Sequence, residues 1–315
     1  MWKLLGVAWL MVATAAGAAA QVAAAPLHLE QVAPGVYVHL GQHKDFDDGY
    51  DGDIANIGFV IGLDAVAVID TGGSYAVGMA LREALRKITR LPIRYVINTH
   101  GHPDHVFGNA AFIEADGNKA GAPPQFIGHA MLPQAMAARG DLYLRNLKSQ
   151  LGSAADKSRL IAPTATVRQG LILDLGKRQL ELRAWPNAHT NHDLTVFDAA
   201  SGTLWTGDLL FIERTPSIDG DVQGWLAAID ALQAVPARAT IPGHGPVTRD
   251  KNSALARQRS YLAALLHDVR ASIRQGADMT STMATAAASE RARWQLFDAV
   301  NRRNVNLLYP ILEWE

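Results

Sequence analysis

The 315-residue chain contains no cysteine. Disulfides and thiolate chemistry are therefore excluded, and any bound metal must be held by nitrogen and oxygen donors. Net charge is also nearly absent: the formal value is -1, without a block of like charge. A basic excess that would favour nucleic acid is lacking. After the first 25 residues, no segment is long and apolar enough to cross a bilayer.

The first residues form a separate segment. Lys3 supplies a positive start, residues 4–12 are apolar, and residues 13–25 are almost all small. This order is typical of a secretory signal peptide, with cleavage expected after the Ala18-Ala19-Ala20 run. We expect residues 1–20, or as many as 25, to be removed and the mature protein to be periplasmic or secreted. The alternative is an uncleaved membrane anchor, for which the apolar stretch is short.

The remaining residues have an ordinary globular composition, with 49% hydrophobic and 19% charged residues over the whole chain. We find no internal repeat and no strong linker, so residues 26–315 are expected to form one layered α/β domain. Strands are predicted over 35–40, 56–61, 65–70, 93–99, 125–128, 171–175, 180–185, 194–197 and 203–206. Helices are predicted after Ser74, over 131–151, 224–235 and 253–274, and in a last segment before Tyr309.

The run from His100 to His105 carries the strongest chemical signal. It places three imidazoles (His100, His102 and His105) and the carboxylate of Asp104 within six positions, directly after the predicted strand 93–99. Imidazole and carboxylate suit zinc and, less selectively, other first-row divalent metals. The run therefore predicts a metal-binding turn at a strand end.

Three more candidate ligands follow predicted strands. They are His189, Asp208 and His244, and each comes shortly after a run of strand-forming residues. Catalytic groups of α/β folds gather at strand ends, so we expect these side chains to join the first cluster.

The ordered motifs resemble the metallo-β-lactamase superfamily. They are His-x-His-x-Asp-His at 100–105, His189, Gly-Asp at 207–208 and Pro-Gly-His-Gly at 242–245. The stretch Ala67-Val68-Ile69-Asp70-Thr71-Gly72 matches another landmark of that family, a strand ending in a supporting aspartate. The resemblance implies an α/β fold of the four-layer αββα type, with metals at one edge of the two sheets.

The resemblance also implies a ligand set and a mechanism. Two Zn²⁺ ions are expected, with manganese and iron left open, and a hydroxide shared by both metals would attack a carbonyl carbon while Asp104 orients it. Asp70 and Asp193 are candidates to orient ligand imidazoles, although Asp193 could equally be a turn residue. The implied ligands are His100, His102 and His189 for the first metal, Asp104, His105 and His244 for the second, and Asp208 as the bridge.

Two residues are candidates for contact with a small-molecule substrate. Arg214 could pair with a substrate carboxylate, or be an ordinary surface arginine. Tyr50, in an acidic glycine-rich loop, could cover the metal site as a flexible flap.

The residue at position 208 limits which branches of the superfamily the chain resembles. Well-known zinc β-lactamases carry cysteine there, whereas Asp208 matches glyoxalase II-like, lactonase-like and ribonuclease-like branches. The ribonuclease-like branch fits poorly without a basic groove. Residues 52–60, 68–74, 97–100 and 103–112 are similar to exported quinoprotein relay system zinc metallohydrolases. That group implies a periplasmic setting and a functional link to quinoprotein dehydrogenases.

The expected function is that of a periplasmic binuclear zinc hydrolase acting on a small ester, thioester, lactone or β-lactam-like bond. The alternatives are a β-lactamase proper, a non-catalytic metal-binding accessory of a quinoprotein or sulfur-oxidation system, and an iron-dependent oxidoreductase. Neither a nucleic-acid partner nor a membrane span after signal cleavage is expected.

Overall fold

A computed structural model describes residues 26–45, 49–113 and 123–315. The expected signal peptide lies outside these residues. The strands are β1 (Glu30–Ala33), β2 (Val36–His39), β3 (Ile57–Ile61), β4 (Val66–Ile69), β5 (Ile93–Ile97), β6 (Gln125–His129), β7 (Ala165–Val167), β8 (Gly170–Asp174), β9 (Gln179–Ala184), β10 (Leu194–Asp198), β11 (Thr203–Phe211) and β12 (Ala239–His244).

Helices connect or cover these strands. They are α1 (Tyr75–Ile88), α2 (Pro103–Val106), α3 (Ala110–Ile113), α4 (Leu132–Leu151), α5 (Val222–Gln233), α6 (Lys251–Arg274), α7 (Met279–Thr285) and α8 (Phe297–Leu312). Helix α1 begins where the Ser74 side chain accepts a hydrogen bond from the Val77 amide, which satisfies one of the free N–H groups of the first turn. Leu81 and Leu85 of α1 are buried as its periodicity predicts, whereas Ile88 is exposed.

The strands form two sheets. The first has the order β1-β2-β3-β4-β5-β6-β7, and the second has the order β12-β11-β10-β9-β8. Strands β4 to β7 run parallel to one another, as do β11 and β12, whereas the other neighbouring pairs are antiparallel. The candidate ligands lie in the loop and short helix after β5, in the loop after β9, and near the carboxyl ends of the parallel strands β11 and β12.

Three apolar clusters hold the layers together. The first lies between the sheets and joins side chains such as Ile69 and Ile97 to Trp205 and Ile241. The second packs the outer face of the first sheet against α1 and α3, and the third packs the outer face of the second sheet against α5, α6 and α8. Burial of apolar surface on both faces of each sheet produces the four layers, and the expected αββα fold is confirmed.

The structure corrects two predicted boundaries. The strand expected to stop at Thr206 continues to Phe211 as β11, so Asp208 lies within a strand and not after one. The last helix does not stop before Tyr309; α8 continues to Leu312. Among the described residues, no helix has the length and apolar character needed to span a membrane.

Candidate metal centre

The turn after β5 carries four candidate ligands. It leaves the first sheet at Ile97, and Pro103 then begins the short helix α2. Proline suits the first turn of a helix because its missing N–H would have no partner there. The turn thereby places His100 and His102 before the helix, and Asp104 and His105 within it.

Asp70 supports this turn from the end of β4. Its Oδ1 accepts a hydrogen bond from the Thr99 amide at 2.8 Å. Its Oδ2 accepts from the Thr99 hydroxyl at 2.7 Å and from His105 Nδ1 at 2.8 Å. Its φ of 52° lies in the left-handed region, which aspartate tolerates better than most residues. Asp70 therefore holds the imidazole of a candidate ligand, His105, in one orientation.

The first group of candidate ligands consists of His100, His102, His189 and Asp208. His102 Nδ1 lies 3.0 Å from His100 Nε2 and 3.1 Å from His189 Nε2. Asp208 Oδ2 is 3.3 Å from His189 Nε2. One ligand atom from each of the four residues lies within 4.8 Å of the others, and all but His102 are buried. We call this set the first ligand group.

The second ligand group consists of Asp104, His105 and His244. Asp104 Oδ2 lies 3.5 Å from His105 Nε2 and 3.3 Å from His244 Nε2. His244 is the last residue of β12, so it reaches the group from the second sheet while the other two come from the first. The group is therefore assembled across the edge where the two sheets meet.

Asp208 lies between the groups. Its Oδ1 is 3.1 Å from His105 Nε2, and its Oδ2 is 3.3 Å from His189 Nε2 and 3.4 Å from His244 Nε2. The neighbouring strand leaves room for this carboxylate only because residue 243 is glycine, since a Cβ there would stand 1.9 Å from Asp208 Oδ1. The two oxygens of one side chain thus reach both groups.

The donor atoms fit divalent cations. His189 Nδ1 donates to the Ser217 carbonyl at 2.8 Å, and His244 Nδ1 donates to the Ile54 carbonyl at 2.7 Å. These bonds, with the one from His105 to Asp70, assign the proton to Nδ1 and leave an Nε2 lone pair directed at the centre. His105 Nε2 and Asp208 Oδ1 are buried without a hydrogen-bond partner. Buried polar atoms rarely lack partners, and a cation would satisfy both.

The electrostatic surroundings favour the metal-binding protonation states of His100, His189 and Asp208. For His102, His105 and His244, burial lowers the pKa, but nearby carboxylates outweigh burial and raise it. Burial and the neighbouring His105 lower the pKa of His100 well below its usual value. Burial lowers the pKa of His189 to about 4. Burial opposes ionisation of Asp208, but His244, His105 and His100 outweigh it and hold its pKa well below the usual range. Neutral imidazoles and an ionised carboxylate are the forms that bind metal.

The hydrogen bonds of Asp193 fit the alternative of a turn residue. The hydrogen bonds of its carboxylate go to Thr190, from the amide at 2.9 Å and from the hydroxyl at 2.6 Å. It therefore fixes the loop that follows His189, and among the described residues these bonds go to Thr190 and not to a ligand imidazole.

Arg214 and Tyr50 are both buried beside the second ligand group. Arg214 is 7% exposed and donates to the Lys44 carbonyl at 2.8 Å, so the surface alternative is wrong. Its charge lies close enough to Asp104 and Asp208 for both carboxylates to oppose the lowering of its pKa that burial causes. Tyr50 packs with Phe107, and burial followed by the Asp104 charge raises its pKa. The ring belongs to a packed cluster, which differs from the expected flexible flap.

Sequence reasoning missed Asp219. Its Oδ2 accepts a hydrogen bond from His102 Nε2 at 3.0 Å and is also paired with Arg139 of α4. It therefore does for His102 what Asp70 does for His105. The only signal in the sequence is an acidic residue in the turn before α5, which is common in proteins that bind no metal.

Known proteins share this architecture. The family model described as "Metallo-beta-lactamase superfamily" matches residues 50–244, well over half of the chain. A linear primary-alkylsulfatase from Pseudomonas sp. (strain ATCC 19151) is 24% identical over 235 residues, which are 65% of this chain and 44% of that protein. The chain thus spans less than half the length of this relative.

Two solved structures show a similar fold. The stereoselective inverting sec-alkylsulfatase Pisa1 from Pseudomonas sp. has a TM-score of 0.66 and 19% identity, over 90% of this chain and 50% of that chain. A metallo-β-lactamase from Pontibacter korlensis has a TM-score of 0.57 and 21% identity, over 75% of this chain and 99% of that chain. The family match over residues 50–244, together with the two ligand groups, shows that the chain belongs to the metallo-β-lactamase superfamily.

Proposed function

We propose that this protein is an exported hydrolase with a binuclear zinc centre that cleaves a small ester, thioester, lactone or β-lactam-like bond. The position of Asp208 carries the proposal, because its two oxygens reach His105 on one side and His189 on the other. Two bound cations would act as Lewis acids and lower the pKa of a shared water toward neutrality. Nitrogen and oxygen donors in this combination suit Zn²⁺, and also Mn²⁺ and Fe²⁺.

The chain's own residues would position the reaction. The Asp104 carboxylate lies at the second ligand group, where it can accept a proton or orient a water. Burial opposes its ionisation, but His105 and His244 together lower its pKa. Asp70 and Asp219 hold the imidazoles of His105 and His102 in one orientation. The site therefore needs no serine or cysteine nucleophile.

Metal content tests the binuclear centre. Protein purified without added metal should contain about two equivalents of metal per chain by elemental analysis. Asp208→Ala should hold less, whereas the control His267→Ala should not, because His267 is exposed on α6. A wild-type content of one, unchanged by Asp208→Ala, would contradict the proposal.

The substrate class can be tested with a panel of chromogenic substrates. We expect zinc-loaded protein to hydrolyse at least one of a chromogenic carboxylic ester, a thioester, a lactone and a cephalosporin, and to lose this activity in His102→Ala. Turnover of the cephalosporin alone would favour the alternative of a β-lactamase proper. A folded, metal-replete protein that is inert to the whole panel would contradict the proposed substrate classes.

A sulfate ester is the second candidate substrate. Arg214 favours it, because a buried guanidinium near Asp104 and Asp208 places a positive charge beside the second ligand group. The similarity to two alkylsulfatases points the same way, although the chain spans only 44% and 50% of their lengths. The panel should therefore include p-nitrophenyl sulfate. Arg214→Met should reduce sulfate turnover more than turnover of a neutral ester.

Export and a functional link to quinoprotein dehydrogenases remain part of the proposal. Both rest on the leader-like residues 1–25 and on the resemblance of residues 52–60 and 103–112 to the exported quinoprotein relay hydrolases. Fractionation of the native host should place the processed chain in the periplasm, with an N-terminus between residues 21 and 26. A full-length chain found in the cytoplasmic fraction would contradict export.

A further inference from the structure

A cavity of about 320 Å³ adjoins the first ligand group. It lies between α4 and the loops that follow β9 and β11. Gly101, which separates the ligands His100 and His102, forms part of its wall, and so does Asp219, which accepts the hydrogen bond from His102. A molecule bound at the metal centre could therefore extend into this cavity.

Hydrogen-bonding side chains dominate the lining. Gln134 of α4 and Asn187 and Asn191 of the loop after β9 are exposed amides on the cavity wall. Tyr143 adds a phenol from the next turns of α4. Typical ligand pockets are mainly apolar, with only a few polar groups. This lining departs from that pattern.

A buried histidine adds an acceptor to this wall. His192 is 6% exposed, and its Nδ1 pairs with Asn191 Oδ1 at 2.7 Å. Because the amide oxygen can only accept, the proton is on Nδ1 and the Nε2 lone pair is left available. Nε2 stands 2.8 Å from the position that a Cβ would take at Gly101. The acceptor is thus next to the turn that carries the first ligand group.

The cavity offers no net charge to a ligand. Its guanidinium, Arg139, is paired with its carboxylate, Asp219. The Asp219 carboxylate already neutralises the Arg139 charge before any ligand enters. An anionic ligand would therefore gain little electrostatic attraction and would be repelled by Asp219. The other polar side chains of the lining are amides, hydroxyls and a histidine, and the remaining residues are Met131, two alanines and two glycines.

We infer that this cavity holds an uncharged, hydroxyl- or amide-bearing part of the substrate, attached to the bond that is cleaved at the metal centre. The inference rests on the proposed function and specifies its substrate class. An alkyl chain in the same place would remove water from the amides of Gln134, Asn187 and Asn191 without replacing their hydrogen bonds, which costs free energy. A hydroxylated chain would replace them.

Binding of two matched phosphonates to the zinc-loaded full chain tests the inference. Dihydroxypentylphosphonate and heptylphosphonate carry the same anchor and the same number of non-hydrogen atoms, and neither is hydrolysed. Isothermal titration should show the hydroxylated compound binding about tenfold more tightly, as expected for two additional hydrogen bonds. Equal or tighter binding of the heptyl compound would overturn the inference, and so would a failure of both to bind.

Variants of the wall add a second measurement. Gln134→Leu combined with Asn191→Leu should bring the affinity ratio close to one. Gln150→Leu, on an exposed position of the same helix, should leave the ratio unchanged. A double variant that keeps the tenfold preference would also overturn the inference. Hydrolysis of p-nitrophenyl acetate and metal content are measured in the same samples, because their loss contradicts the proposed function and not the cavity assignment.

Discussion

The two ligand groups share Asp208 but are supported differently. In the second group, His105 is held by Asp70, which is 2% exposed and also ties down the backbone at Thr99. In the first group, His102 is held by Asp219, whose side chain is 20% exposed and which is fixed by Arg139 on α4. One support is part of the buried core, and the other borders a cavity.

This difference gives the two aspartates different roles: Asp70 contributes to folding as well as to ligand orientation, whereas Asp219 acts mainly on the ligand. Asp70 lies at the end of β4 in the centre of the first sheet, so the same hydrogen bonds that orient a ligand also close the connection between strands. Asp219 connects the ligand to a helix inserted between β6 and β7. The second group is therefore expected to be preformed with the fold, whereas the first can adjust when a substrate enters the cavity.

Loss of Asp208, which both groups share, should impair both groups at once and have the largest effect. Asp208→Ala takes one oxygen donor from each group and leaves His105 Nε2 facing empty space. We expect turnover to fall by more than about 100-fold, because the loss of a ligand should exceed the 10–100-fold cost typical of a lost outer partner. Steady-state kinetics with elemental analysis provides the measurement. A variant that retains activity and both metals would show that Asp208 does not bridge the groups.

Asp70→Ala should destabilise the protein even without metal. It leaves the Thr99 amide and His105 Nδ1 buried without acceptors, and it places alanine at a φ of 52°. We expect the free energy of unfolding of metal-free protein to fall by about 3 kcal/mol. Urea denaturation measures this value. Asp70→Asn keeps the shape of the side chain but not both acceptor oxygens, so its free energy of unfolding should fall less. Unchanged stability in both variants would contradict the structural role that distinguishes Asp70 from Asp219.

Asp219→Ala should affect metal binding and leave the stability of the metal-free protein nearly intact. Its carboxylate supports His102 from a partly exposed position, so we expect about tenfold weaker binding of one of the two metals. Competition with a chromogenic chelator resolves the two affinities. Asp230→Ala is the matched control, since Asp230 forms an exposed pair with Arg259 and belongs to neither ligand group. A large loss of urea stability in Asp219→Ala would place Asp219 in the same class as Asp70.

The ligands could be predicted from the sequence because they belong to short motifs at strand ends. The His100–His105 run follows the β-branched stretch of β5, and Pro242-Gly243-His244 ends β12, so both lie at strand ends, where the functional groups of α/β folds gather. Asp208 was predicted as a ligand but with the wrong local structure, because β11 continues through it to Phe211. Gly207 adopts a φ of 51° there, and the strand register shifts on either side of it.

The supporting residues could be predicted only where they belong to a motif. Asp70 ends a recognisable strand, whereas Asp219 and Arg139 are 80 positions apart and meet only through the fold. Tyr50 is in a polar glycine-rich stretch that favours an exposed loop, yet its ring packs with Phe107 and Leu147. Local pattern does not encode such long-range packing, since the partners come from α4 and from the turn after α2.

The smallest expected effect concerns pH and the cavity histidine. Burial lowers the pKa of His192 to about 3, so this imidazole is neutral in the folded protein and protonates near its usual value of 6.5 when unfolded. The unfolded state therefore binds more protons between these values, and the His192 contribution to stability is lost as pH falls below about 6.5.

At pH 5.5 the contribution of His192 to this loss should be about 1.4 kcal/mol, measured as the difference between wild-type and His192→Gln metal-free protein when both are compared at pH 7.5 and 5.5. His267→Gln is the control, because that imidazole is exposed on α6 and lies outside the cavity lining. Equal acid sensitivity in wild type and His192→Gln would mean that His192 charges in the folded protein. The wall beside the first ligand group would then be cationic below neutral pH, and its preference for an uncharged ligand would not hold there.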